Sequence, residues 1–311
     1  MTDRVEDFLH YLSAERGSSK NTIDAYRNDL SNFVRFAGER PAAARNGAHA
    51  DQPDFDVAEI DRGLVVDYLG ELNRREYAKA TVARKVAAVK SFCAFLIDVG
   101  ALTSNPTAEI DSPRAPKPVP KPMTTREVDS LLQEPLKHET PESVRDAAML
   151  ELMYATGMRV TELVSLNLDS LHLKPEPAYV RCVGKGAKER TIPVHAPAVR
   201  AMERYLDHAR PALLKARTQA ALFVNRRGER LTRQGFWLIF KNYAKSAGIP
   251  THVTPHTLRH SFATHLLRGG ASVRDVQELL GHANVSTTQV YTQLADQHLR
   301  EVYENVHPRA R

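Results

Sequence analysis

Cysteine is nearly missing from this chain: Cys93 and Cys182 are the only two among 311 residues, and they stand far apart. Such a pair supplies neither a disulfide framework nor a thiolate metal site. It reads as two buried thiols in a reducing compartment. Long apolar runs are missing as well. No stretch approaches the ~18 residues that a bilayer-spanning segment needs, and the N-terminus has no signal-peptide core. These absences argue against a secreted disulfide scaffold and a membrane protein, and the expected location is the cytoplasm.

Charge is present and unevenly divided. Residues 1–112 hold 14 Lys and Arg against 18 Asp and Glu, a net of −4; residues 113–311 hold 29 against 19, a net of +10. The basic excess lies where an enzyme acting on DNA phosphates would need it, although many enzymes carry such a balance. The length is enough for two domains, each with its own core.

The first part, 1–111, reads as a helical bundle. Val5, Phe8, Leu9 and Leu12 form one apolar stripe, and Ile23, Tyr26, Leu30, Phe33 and Phe36 a second. Leu64, Val65, Tyr68, Leu69 and Leu72 form a third, and Val82, Val86, Val89, Phe92 and Phe95 a fourth, at the 3.6-residue period of a helix. Arg40 to Glu59, rich in Ala, Asp and Pro, reads as an exposed loop. Between Arg74 and Lys90 six basic residues, Arg84, Lys85 and Lys90 among them, face one acid, Glu76. That is a solvated helix face or a phosphate-binding one. Residues 112–122, SPRAPKPVPKP, carry five prolines and three basic residues including Lys117 and Lys121, the signature of an extended linker.

Residues 123–311 read as a mixed α/β domain, so the fold class is mainly α with a small antiparallel β-sheet. A capped helix opens at Thr124, and an apolar helix spans Arg145 to Tyr154. In ATGMRVTELVSL, Gly157 permits a sharp break that presents Arg159 at a fresh helix start, with Glu162 one turn on. Tyr179 to Val194 alternates as two strands around GKGAK, whose turn exposes Lys185 and Lys188; the pattern does not choose between them. Ala198 to Leu214 reads as helix, Leu222 to Asn225 as a short strand, and Thr232 to Ala247 as a helix holding the only tryptophan, Trp237. That ring is expected in the core or beside a phosphate rather than as a base-stacking platform.

The stretch Thr254 to Thr292 concentrates the chemistry. Thr254 caps a helix with Pro255 in its first position, and His256 and Arg259 share a face near its positive end. Ser272 and Asp275 open a second helix that stops at Gly281, beside His282. Ser286 and Gln289 open a third, which carries Tyr291. Any one of these histidines would ordinarily be a structural hydrogen-bonder, and any one tyrosine core or surface. Their joint placement with an arginine points to phosphoryl chemistry: arginine forks onto phosphate oxygens, and a phenol of pKa ~10 needs a base before it attacks. His256 and His260 have zinc spacing, but Arg259 between them would repel a cation and no carboxylate sits on that helix. No metal and no cofactor are expected.

HTLRH at His256, LLGH at Leu279 and Tyr291 nine residues beyond His282 resemble the tyrosine site-specific recombinases, and within them the Xer recombinases. TRQGFW at Thr232, SFATHLL at Ser261, LGHANVSTTQVYT at Leu280 and HPRA at His307 resemble XerD more than XerC. TGMRVTEL and GKGAKER resemble the family's first arginine motif and its lysine hairpin. The likeness implies a helical core-binding domain and a catalytic domain closing as a C-shaped clamp on double-stranded DNA. It implies Tyr291 as nucleophile, Arg159 and Arg259 as phosphate ligands, Lys185 as general acid with Lys188 as fallback, His256 as base and His282 as a phosphate hydrogen-bonder. Arg84, Lys85, Lys90, Lys117, Lys121 and Lys188 become phosphate contacts, and Glu162 a structural buttress. The helix from Asp296 to Val306 is expected to dock into a neighbouring subunit.

The implied partners are a dif-like core site, a homo- or hetero-tetramer with a second Xer recombinase, and an FtsK-type DNA translocase. The implied task is chromosome dimer resolution without metal or ATP. A phage or integron integrase shares the chemistry, but no extra N-terminal arm-binding domain of the phage type is expected. A topoisomerase-like enzyme acting alone fits poorly with a helix beyond Tyr291. A non-catalytic DNA-binding relative fits poorly with six filled positions.

Overall fold

The computed structural model describes residues 1–39, 55–111, 121–174, 177–183, 189–214, 218–281 and 301–310. The chain divides into two compact units, Met1–Pro118 and Val119–Arg311.

Four helices build the first unit: α1 (Thr2–Ala14), α2 (Lys20–Gly38), α3 (Arg62–Arg74) and α4 (Lys79–Asp98). Ser19 and Asp61 cap α2 and α3 by accepting from Thr22 N–H and Leu64 N–H, which supplies partners to backbone donors that a helix start leaves open. Phe8 meets Phe92 and Phe95 with ring centroids 5.6 and 5.4 Å apart, and Phe33 meets Tyr68 edge-on at 5.1 Å. Two expectations need correction. The segment before α3 is not all exposed loop: Phe55, Val57 and Ile60 are buried in this core, and Val57–Glu59 forms a single 3-10 turn. Lys85, expected as a phosphate contact, is not open to one either. It lies buried with its ammonium 3.2 Å from the buried Asp29 carboxylate, because a buried carboxylate needs a cation more than a surface does.

Among the described residues the second unit packs α5 (Thr125–Gln133), α7 (Val160–Ser165), a three-stranded antiparallel sheet and further helices around α6 (Pro141–Thr156). The sheet order is β1 (Leu171–His172), β2 (Tyr179–Val183), β3 (Glu189–Pro193). Register pairs Val180 with Ile192 and Cys182 with Arg190, so these four share the inward face. Both cysteines are buried free thiols, and burial pushes each up to about 12. One helical run comprises α8 (Ala196–Arg204), a π turn (Tyr205–Ala209) and α9 (Arg210–Leu214). The expected strand at Leu222 to Asn225 is instead chain with Leu222, Phe223 and Val224 buried, an isolated bridge from Val224 to Arg230 within it and another from Asn167 to Ala221 just before it. Then come α10 (Arg233–Ser246), α11 (Pro255–Gly269) and α12 (Val273–Leu280).

Residues 301–306 are helical, and in this single chain residues 302–310 pack on their own unit. Tyr303 is buried and donates to Ala155 O at 2.9 Å, and Arg309 forms ion pairs with Asp129 and Glu151 at 2.8 and 2.6 Å. A side chain at Gly269 would strike Val306, so the absent Cβ is what admits the segment. Beneath it His307 and His195 lie with ring centroids 4.8 Å apart, and neither Nε2 has a hydrogen-bond partner.

Burial first, and then the Arg309 charge, push His195 down to about 4; burial, His195 and Arg309 push His307 down to about 3. Both therefore stabilise the docked segment as neutral rings. That contribution is whole above ~6.5, the ordinary histidine value, and is lost as pH falls toward about 4. Urea melts at pH 7.5 and pH 5 should show it: His307→Phe should reduce the acid loss by about 2 kcal/mol relative to wild type. Equal losses would refute the assignment.

Candidate active site

Three segments meet at the C-terminal end of α6. The helix stops because Gly157 takes a left-handed φ of +58°, and its N–H bonds back to Met153 O at 2.9 Å. A Cβ there would overlap the Phe262 ring of α11, so glycine is required both for the turn and for close helix approach. The chain then places Arg159 immediately before α7. Arginine has no acceptor to cap a helix, and Glu162 compensates: its carboxylate accepts from Arg159 N–H at 2.7 Å and from Arg159 Nη1 at 3.0 Å.

The same carboxylate accepts from Arg190 of β3, Nη1 to Oε1 at 3.0 Å and Nη2 to Oε2 at 2.9 Å. Arg259 of α11 lies 4.0 Å away through Nη1, and donates to Gly157 O at 2.6 Å and Leu280 O at 2.9 Å. Three guanidinium groups thus converge on one buried acid. Burial alone would raise the Glu162 carboxyl, but Arg190, the Arg159 N–H and the arginine charges together hold it below the usual carboxylate range. Burial, and next the Arg159 charge, lower Arg259 to about 10, so it keeps its proton at neutral pH. Arg159 remains 43% exposed on its side chain, whereas Arg259 is buried. A guanidinium has five N–H donors, so after two carbonyls Arg259 has donors to offer an anion.

His256 is exposed on the first turn of α11, three residues before Arg259. His265 has both ring nitrogens engaged, Nδ1 with the Tyr154 hydroxyl at 2.8 Å and Nε2 with Met123 O at 2.9 Å, so it serves packing. Lys185, Lys188, His282 and Tyr291 lie outside the described residues, as does Lys117 in the linker. The described chain reaches Val183 and resumes at Glu189 on either side of the lysines, and it reaches Gly281, next in sequence to His282. Arg84 is exposed and paired with Asp29, Lys90 is half-buried and Lys121 exposed. Trp237 is not core: it is 45% exposed, with the Lys241 ammonium 5.8 Å over its ring. Arg190 was missed by sequence reasoning. Its signal was the strand parity: a charge at an inward position opposite Cys182 must be paired.

Comparison with known proteins decides the class. The sequence pattern described as the phage integrase family matches residues 121–298, and that of the phage integrase N-terminal SAM-like domain matches residues 5–100. The chain belongs to the phage integrase family. Membership makes it a tyrosine recombinase, a DNA strand-transferring enzyme of site-specific recombination. It is 47% identical over 313 residues to tyrosine recombinase XerC of Roseiflexus castenholzii, covering 100% of this chain and 95% of the relative. It is 44% identical to tyrosine recombinase XerD of Halalkalibacterium halodurans, covering 100% and 99%. Relatives of both names match at similar identity, so the XerD-like phrases do not separate the two. In fold, the chain is similar to XerH site-specific recombinase bound to difH substrate (TM-score 0.69, 20% identity, 94% of this chain and 83% of that one). It is also similar to a lambda integrase dimer bound to a COC′ core site (TM-score 0.65, 17% identity, 93% and 99%).

The Gly157 junction can be tested by itself. Gly157→Ala should destabilise the protein by about 2–4 kcal/mol in urea melts, from overpacking plus left-handed strain, and Phe262→Leu in the same chain should recover part of it. An unchanged midpoint would contradict the close approach.

Proposed function

We propose that this recombinase cuts and rejoins DNA at a dif-type core site through a 3′-phosphotyrosyl intermediate and a Holliday junction, resolving chromosome dimers during segregation in the cytoplasm. The observation that supports it most is the convergence of Arg159 and Arg259 on Glu162, in a chain that matches XerC and XerD relatives over its full length.

In this reading the scissile phosphate binds against Arg159 and Arg259, whose charge counters the negative charge that gathers on the non-bridging oxygens in the transition state. Tyr291 oxygen attacks phosphorus in line. His256 accepts the phenol proton, and Lys185 (or Lys188) gives a proton to the departing 5′-oxygen. His282 hydrogen-bonds the phosphate. One phosphodiester replaces another, so the step is reversible and draws on no ATP. The neutralising charge comes from side chains, so no metal is required. Religation to the partner strand returns Tyr291 to its starting state. Residues 1–111 act as the core-binding domain, 112–122 as a basic strap, and 123–311 as the catalytic domain, together clamping the duplex. Arg84, Lys90, Lys117 and Lys121 grip phosphates and set register rather than sequence choice. Four subunits, of this chain alone or with a second Xer recombinase, exchange strands in pairs, with an FtsK-type translocase as a further partner.

A nicked suicide substrate carrying a dif-type site tests the reading. Wild type without added metal should give a covalent protein–DNA adduct on a denaturing gel, and Tyr291→Phe should give none. An adduct that survives Tyr291→Phe would overturn the nucleophile.

A further inference from the structure

We propose that Arg190 is a positioning residue for strand transfer: it fixes the Glu162 carboxylate and the end of α12, and so keeps Arg159 and Arg259 available to the phosphate. The inference rests on the function proposed above and adds a residue to it.

Arg190 is not placed to bind DNA itself. Its side chain is 12% exposed, and its donors point into the protein. Two go to the Glu162 oxygens, and Nε donates to Leu279 O at 3.1 Å. The fork matters, because both carboxylate oxygens are held at once and the carboxylate cannot rotate. Each Glu162 oxygen also serves Arg159, Oε1 from its guanidinium and Oε2 from its backbone N–H.

Charge explains why a third arginine is useful. Glu162 is buried, and without Arg190 its nearest cations would be Arg159 and Arg259. It would bind them in competition with the phosphate. With Arg190 holding both oxygens, one acid is shared among three guanidinium groups, and the cluster keeps a net excess of two positive charges for the phosphate although Arg159 also touches the acid.

The second anchor is α12. Arg190 and Arg259 take the consecutive carbonyls of Leu279 and Leu280, so two cations close the negative end of that helix. Gly281 follows with φ +66°, and a Cβ there would stand 2.9 Å from Arg190 Nη1. The backbone therefore runs directly against the guanidinium one residue before His282. A single side chain on β3 ties the strand, the α7 start and the exit from α12 into one unit.

The test is single-turnover cleavage of the suicide substrate at saturating DNA, with binding and melting measured on the same variants. Arg190→Gln should bind core-site DNA as wild type does yet cleave about 100-fold more slowly, the loss expected of a displaced catalytic group. Arg190→Lys keeps charge without the fork and should keep about a tenth of the rate. Combining Arg190→Gln with Glu162→Gln should cleave no more slowly than Arg190→Gln alone, because the acid that captures the other arginines is gone. Should Arg190→Gln fail to fold, Arg190→Lys carries the test, with wild-type melting and the slower rate expected. A wild-type rate in either variant, a loss that tracks DNA affinity, or losses that multiply in the double variant would overturn the proposal. Absence of any adduct with wild type, or its survival in Tyr291→Phe, would instead overturn the function on which it rests.

Discussion

A carboxylate shielded from water must be surrounded by donors, and Glu162 is surrounded by Arg159, Arg190 and, at 4.0 Å, Arg259. Most of the catalytic unit's local geometry depends on meeting that need. The α6 stop at Gly157 delivers Arg159, the antiparallel register of β2 and β3 turns Arg190 inward, and the N-terminal turns of α11 bring Arg259. Two of the arginines also tie down backbone, Arg259 through the Gly157 and Leu280 carbonyls and Arg190 through that of Leu279. The cluster carries an excess of positive charge in a place only partly open to solvent, where each charge acts more strongly on a bound anion than it would in water. An excess of that kind is costly to fold unless the acid at its centre is present, so the structural and the chemical demands on Glu162 are the same demand.

Local signals made much of this legible in the sequence. The four apolar stripes of the first unit fall on the four helices, and the caps Thr124, Thr232, Thr254 and Ser272 stand where the helices begin. Arg159 and Arg259 were singled out by motif resemblance and by their places at helix starts, and the structure brings both to Glu162. What escaped depends on tertiary partners. Lys85 looks like its neighbour Arg84 in the sequence, and both pair with the distant Asp29, yet Lys85 is buried and Arg84 exposed. Trp237 follows the helical period yet falls on the side of α10 that no element covers among the described residues. Phe55 and Val57 sit in a stretch whose composition reads as loop, and two side chains are enough to anchor its end in the core. Arg190 needed the strand register, which sequence alone did not supply.

The C-terminal segment shows how packing and charge can share one seat. Tyr303 and His307 fill the gap over α6, while Arg309 reaches Asp129 and Glu151 from the rim. The seat lies against the C-terminal half of the same α6, with Tyr303 on the Ala155 carbonyl, so the element that holds the tail also ends in the turn that presents Arg159. In the single chain the groove that receives it is opened by Gly269.

The central claim is that Arg159 and Arg259 act on the charge of one phosphate. Cleavage of a core site with a methylphosphonate at the scissile position tests it most directly, because that linkage lacks the non-bridging charge the arginines are held to balance. Arg159→Ala and Arg259→Ala should lose cleavage on the phosphodiester and regain much of it on the methylphosphonate. Variants equally inactive on both substrates would contradict the account, and would leave the arginine cluster as a structural feature alone.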